Sequence, residues 1–283
     1  MSDARPSYQR LVEEGRRTGS QMVAVERRGA TTIVTMNDPA SLNPLNAPLT
    51  VTLLDRLNEL VADTETRVIV LTGADPAFSA GGDIRAMRSA AHPIVDESEE
   101  GAVGMWRWIR HQFGGVVRTI AKSDKVFIAL VNGPAAGVGL AFALAADIVV
   151  ASDRARLVTA FGSIGLVPEV GTSWLLTRRI GYQKTFEIYL DGRAISATEA
   201  LSLGLVNEVV PHEELMDRGM YWAGRVEAMA DHLLALTKTV LRNAADLTWD
   251  QAIAMEEFAE PMCFTARAHR EAVDVFLADK SGG

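Results

Sequence analysis

The 283-residue chain carries 28 Lys and Arg against 36 Asp and Glu, a formal net charge of −8, and this acidic balance argues against a nucleic-acid binder, which needs a basic face to replace phosphate counterions. Hydrophobic residues make up 48% and charged ones 23%, which excludes the apolar-poor make-up of disorder, and the length suffices for one large domain with an appendage or for two small ones. The single cysteine, Cys263, excludes an internal disulfide and a cysteine metal site, so the expected compartment is the cytoplasm.

Residues 1–20 are polar, with Arg5, Arg10, Glu13, Glu14, Arg16 and Arg17, and read as an N-terminal extension without the apolar stretch of a signal peptide. Residues 22–27 (MVAVER) and 31–36 (TTIVTM) are β-branched runs separated by Gly29, the pattern of a hairpin or two neighbouring strands. Asn46 and Pro48 predict a helix start, and Leu53, Leu54, Leu57, Leu60 and Val61 recur at the three-and-four spacing of a buried stripe. Residues 67–72 (RVIVLT) then form a short buried strand, ended by Gly73 and Asp75-Pro76. Trp106, Ile109, Phe113, Val116, Val117 and Ile120 mark a second amphipathic helix, followed by a strand at 126–131, a helix starting near Gly137 and a strand at 147–151. Residues 126–151 approach the length of a membrane span, but Asn132, Gly133, Pro134 and Asp147 interrupt them, so no membrane partner is expected.

From residue 196 the pattern is nearly all helix, opened by the capping box Ser196-Ala197-Thr198-Glu199. Leu215, Met216, Trp222, Ala223, Val226 and Met229 form one stripe, Leu233, Leu234, Leu236, Val240 and Leu241 the next, and Thr248 to Gln251 form a second capping box. The chain therefore divides into an extension at 1–20, an α/β core at 21–210 with parallel crossovers, and a helical region at 211–283. The stripes of that last region fit either their own core or a partner subunit.

Several chemistries drop out early. The five histidines, His92, His111, His212, His232 and His269, include no pair at metal-binding helix spacing, so no metal is expected. Gly137-Val138-Gly139 opens a helix as a dinucleotide fingerprint would, but Phe142 stands where a third small residue is needed. Residues 161–165 (FGSIG) are similar to a nucleophile elbow, with Phe161 in place of the first glycine and too bulky for that strained turn. Two glycine-bearing segments remain, 78–84 (FSAGGDI) and 132–139 (NGPAAGVG). Each follows a strand and leads into a helix, whose first amide hydrogens lack internal partners and whose dipole favours negative charge. Together they can present two N–H donors to one oxygen; either alone reads equally as an ordinary tight turn.

With 147–151 (DIVVA), 164–171 (IGLVPEVG) and 196–211 (SATEALSLGLVNEVVP), these segments follow one another as in the crotonase, or enoyl-CoA hydratase/isomerase, superfamily, which the chain resembles over roughly residues 20–280. The resemblance implies an α/β fold, a crotonase-like spiral of ββα units with a helical C-terminal trimerisation region, assembled as a homotrimer or a dimer of trimers. It implies an acyl-CoA substrate, no further cofactor, and catalysis by Glu169 with the Gly82 and Val138 amides, which hold the thioester oxygen as an enolate forms. The same match puts Ala40, Ser41 and Leu42 at the adenine pocket, although Asn37-Asp38-Pro39 lacks the cation often found ahead of it, and offers Arg85 to the CoA phosphates. Phe78, Ala80, Asp83, Ile84, Gly137 and Pro168 complete the implied substrate contacts, Asp83 also capping its helix. Residues 82–106 are where relatives shape the acyl pocket, Met87 is a candidate for its wall, and Phe264 and Arg267 are candidates for CoA contact across a subunit boundary. Ala141 and Phe161 occupy the positions of the two glutamates that family hydratases use on water. The implied reaction is therefore an isomerase moving a β,γ double bond to α,β. Enoyl-CoA hydratase, other one-carboxylate reactions and a non-catalytic acyl-CoA binder remain as alternatives.

Overall fold

The computed structural model describes residues 7–88 and 101–281. Helix α1 (Ser7–Thr18) precedes the hairpin β1 (Val23–Arg28) and β2 (Thr31–Met36), which pair antiparallel around Gly29. Helix α2 (Ala47–Ala62) starts where expected: the Asn46 side chain accepts from Leu49 N at 3.0 Å, and Pro48 sits in the first turn. After β3 (Val68–Gly73) come α3 (Ile84–Arg88), α4 (Gly101–Trp108), α5 (Gly114–Lys122) and β4 (Val126–Val131). Then follow β5 (Pro134–Ala136), α6 (Val138–Ala145), β6 (Ile148–Ser152), β7 (Arg156–Val158), α7 (Thr172–Asp191), β8 (Ile195–Ser196), α8 (Ala197–Ser202) and β9 (Glu208–Val210). Helices α9 (Leu215–Glu227), α10 (Asp231–Ala244), α11 (Trp249–Phe264) and α12 (Arg267–Ser281) complete the described chain.

The main sheet has six strands in the order β1-β2-β3-β4-β6-β9, parallel except for β1, and β5-β7-β8 form a small second sheet. Strands β3 and β4 are buried at every residue, which is why they read as unbroken apolar runs rather than alternating ones. Alternation still divides them: Ile69, Leu71, Phe127, Ala129 and Val131 join the large core beneath α2, α5 and α6. Val68, Val70, Val126, Ile128 and Leu130 join a second cluster with Leu215, Ala223 and Val226 of α9. The first helix beyond residue 211 thus roofs the α/β sheet. No helix among the described residues is long and apolar enough to cross a membrane.

Two local expectations change. The stripe from Trp106 to Ile120 is not one regular helix, because a π-helical turn at Ile109–Phe113 separates α4 from α5. The extra residue rotates the apolar face, leaving Trp106 56% exposed while Trp108 is buried. The Ser196 hydroxyl does accept from Glu199 N at 3.2 Å, but the Glu199 carboxylate turns to Arg193 rather than back to the serine amide. The box at Thr248 and Gln251 forms in both directions.

Candidate active site

The two glycine segments lie side by side. Ser79 N donates to Pro134 O at 3.0 Å and Ala136 N donates to Ser79 O at 2.9 Å, a short parallel bridge that joins the loop after β3 to β5. At Gly81 the backbone is left-handed with φ 84°, and a Cβ there would lie 2.6 Å from Ala136 O, so glycine is required by conformation and by space. Gly137, with φ 51°, turns the chain into α6, leaving Val138 as the first helical residue, 2% exposed. Among the described residues neither the Gly82 nor the Val138 N–H donates to a protein acceptor. Both residues line one cavity of about 50 Å3, together with Phe161 and Glu169.

Glu169 also lines a larger apolar cavity of about 500 Å3, walled by Ile84, Met87, Met105, Ile109, Phe113 and Leu166 among others. The acid is thus common to the two spaces. Its loop is held tightly: Thr172 donates to Glu169 O through both its N (2.9 Å) and its hydroxyl (2.8 Å). Val170, next in the chain, has φ 46°, a left-handed conformation that a β-branched residue adopts only under constraint. Among the described residues no hydrogen bond or ion pair reaches the carboxylate. Burial alone pushes its pKa up to about 7, because the ionised form loses solvation with nothing to replace it. A site with unengaged amides and a poised carboxylate on one cavity wall can stabilise negative charge on an oxygen while a proton moves nearby.

The enoyl-CoA hydratase/isomerase family model matches residues 26–280. The chain belongs to this family. Over 249 residues it is 32% identical to the 1,2-epoxyphenylacetyl-CoA isomerase of Escherichia coli, covering 88% of this chain and 92% of that one. A solved enoyl-CoA hydratase from a Polaromonas species superposes with a TM-score of 0.81 at 29% identity, covering 91% and 97% of the two chains. A monofunctional enoyl-CoA isomerase from M. smegmatis superposes with a TM-score of 0.69 at 31% identity, covering 83% and 99%. The fold is crotonase-like, and the protein is an enzyme family member that handles acyl-CoA.

Within this enoyl-CoA hydratase/isomerase fold, the two residues expected to replace the family's hydratase glutamates are apolar in different ways. Ala141 is fully buried in α6, and the Phe161 ring stands against the small cavity, 3.8 Å from where a Gly137 Cβ would be. Ala80, Gly82, Ile84, Gly137, Val138 and Glu169 come together around that cavity. Pro168 is half-buried immediately before the acid. Ala40, Ser41 and Leu42 lie on an exposed turn outside it, tied in by Ala80 N donating to Leu42 O at 2.8 Å. The Asp83 carboxylate accepts from Arg85 N at 2.9 Å at the start of α3, and the Arg85 side chain is exposed beside it. Phe78 needs correcting: it is completely buried in the main core, so its side chain packs and does not meet substrate.

Phe264 is 63% exposed, and Arg267 pairs with Glu271 at 2.6 Å. Of the segment expected to shape the acyl pocket, residues 89–100, His92 included, lie outside the described residues, as do residues 1–6 of the extension. Sequence reasoning missed Ile109 and Phe113 as cavity wall, and reached Met105 only as part of the 82–106 segment. Ile109 and Phe113 read only as a helical stripe, and the π-turn that aims them has no sequence signal of its own. Among the described residues no group of three or more His, Cys, Asp and Glu can hold a metal ion.

Proposed function

We propose that this protein is an isomerase that moves the double bond of β,γ-unsaturated acyl-CoA thioesters into conjugation. Support comes first from one observation: among the described residues Glu169 is the single carboxylate on the wall of both cavities, and it shares the smaller one with Gly82 and Val138. The thioester oxygen accepts from those two N–H groups, one such donor being worth typically about 3 kcal/mol to the developing charge. Glu169 takes the proton from C2, the electron pair delocalises onto the oxygen and through the C3–C4 double bond, and the same acid returns the proton at C4 as the C2–C3 double bond forms. A pKa near neutrality suits a group that must accept and then donate. The apolar cavity takes the acyl chain, and the CoA thioester enters as substrate with no further cofactor.

The names of the E. coli and M. smegmatis relatives are those of isomerases, which agrees with this reading. The hydratase names among other relatives favour the alternative, but a hydratase needs carboxylates on its water, where this chain has Ala141 and Phe161. Outside the cavity, Ala40, Ser41, Leu42 and Arg85 are proposed for the nucleotide end of CoA. The proposed assembly is a trimer or a dimer of trimers, supported by exposed Trp249, Phe258 and Phe264 on α11. Cys263 without a partner supports a cytoplasmic location.

A screen of saturated, α,β- and β,γ-unsaturated acyl-CoAs tests the reading. Conjugation of β,γ substrates, with deuterium uptake at the α-carbon in deuterated water, is the expected result. Fast hydration of crotonyl-CoA that survives Glu169→Gln overturns it, and acyl-CoA binding with no α-exchange points instead to a non-catalytic binder.

A further inference from the structure

What aims the Gly82 N–H is legible in the hydrogen bonds behind it, and the inference here rests on Gly82 being an oxyanion donor. The Gly82 N–H shares a planar trans peptide with the Gly81 carbonyl, so the two point in opposite directions. That carbonyl accepts from Leu45 N at 2.7 Å. Holding one end of the peptide fixes the aim of the other and polarises the N–H toward stronger donation.

Residues 42–45 form the strap that does the holding. It makes two more attachments: Ala80 N donates to Leu42 O at 2.8 Å, and the Ser79 hydroxyl donates to Asn43 O at 2.8 Å while accepting from Gly81 N at 3.1 Å. The strap is itself left-handed, with φ 65° at Leu42 and 53° at Asn43, so something must compensate its strain. The fully buried Asn43 side chain does this, accepting from Asp38 N at 2.8 Å and donating to Ala74 O at 2.8 Å and Ala77 O at 2.7 Å.

We infer that Asn43 and Ser79 are positioning residues of the oxyanion hole. Asn43 locks the strap to the loop after β3, and the Ser79 hydroxyl couples the strap to the Ala80–Gly81 peptide, the one directly before the peptide that carries the Gly82 N–H. Neither residue lines the cavity. Because the strap continues the exposed turn of Ala40 to Leu42, the proposed nucleotide contact and the Gly82 donor belong to one hydrogen-bonded unit.

The test uses Ser79→Ala, which removes one oxygen, and dimethylaminocinnamoyl-CoA, whose absorption moves to longer wavelength when its thioester carbonyl is polarised. Wild type is expected to shift the bound probe strongly. Ser79→Ala is expected to bind it equally well with a clearly smaller shift, and to lose ~10-fold or more in kcat at nearly constant KM. Asn43→Asp, which keeps the acceptor but loses both donor bonds, is expected to change both readouts in the same direction. Should Ser79→Ala fail to fold, Ser79→Cys keeps a weaker donor and is expected to lie between it and wild type. Thr72→Val is the control: it removes a buried hydroxyl bond to Leu130 O on the adjacent strand (2.9 Å) and is expected to leave shift and kcat intact. A full shift and full kcat in Ser79→Ala, or equal losses in Thr72→Val, overturn the inference. A wild-type protein that binds the probe without shifting it strikes instead at Gly82 as an oxyanion donor.

Discussion

Asp147 and Glu169 are both withdrawn from water, and the chain surrounds them in opposite ways. Asp147, at the start of β6 and 16% exposed, accepts from Phe127 N at 2.9 Å, from Lys238 at 2.8 Å and from Arg242 at 2.8 Å. Lys238, 8% exposed, spends its other donors on Ile120 O (3.0 Å) and Lys125 O (2.7 Å). Burial draws the Lys238 ammonium below its usual range, and the Asp147 carboxylate opposes that fall. Every charge at this junction has a partner, and the result is mechanical: α10 is pinned to the ends of α5, β4 and β6. Among the described residues Glu169 has apolar walls in place of partners, and its pKa is lifted to about 7. A fold gains nothing from an unpaired buried acid, and its place beside two unengaged amides is what the proposed proton transfer needs.

Removing the unpaired acid gives the largest expected effect. Glu169→Gln keeps shape and burial but cannot exchange a proton, so kcat for double-bond migration is expected to fall by ~10³-fold, within the usual range for a general acid–base. α-Deuterium uptake by substrate should fall with it, while acyl-CoA binding measured by calorimetry stays close to wild type. The paired site should respond the other way round. Lys238→Met leaves two carbonyls and one side of Asp147 unsatisfied, and is expected to cost about 3 kcal/mol in denaturant unfolding, as breaking a buried pair does. Its kcat should remain within a factor of about two, since the junction carries no reacting group. Equal loss of activity in the two variants would erase the distinction between them.

The sequence made the paired strands and caps legible because local chemistry decides them. The apolar runs of β3 and β4, the Asn46 cap and the Thr248 box each need only a few neighbouring residues. The two glycine segments and Glu169 were visible as motifs, but their meeting at one cavity depends on the Ser79–Pro134 pairing, a contact across more than fifty residues of sequence that no window contains. Ile109 and Phe113 were legible as part of an apolar stripe, but periodicity does not tell a stripe that fills a core from one that lines a cavity, and the π-turn that holds them has no sequence signal of its own. Phe78 shows the reverse error. Its place in a functional motif suggested contact with substrate, whereas its bulk and apolarity had already reserved it for the core.

The smaller predicted effects come from the titration of Glu169 itself. As a base it must start ionised, so kcat/KM should fall about tenfold per pH unit below a free-enzyme pKa of about 7 and level off above it. Stability runs in the opposite sense. A folded pKa of about 7 against the ordinary 4.5 means that the native state holds a proton the unfolded chain has released. The wild-type fold is therefore favoured below pH 4.5, loses that advantage as pH rises from there to about 7, and carries the full penalty above. Glu169→Gln has no such titration. The difference in unfolding free energy between variant and wild type should thus grow with pH across that window and then stay flat, reaching ~2 kcal/mol after allowance for the partly open cavity. A difference that is constant with pH would mean that the acid is solvated or paired in solution, and the contrast with Asp147 would lose its physical basis.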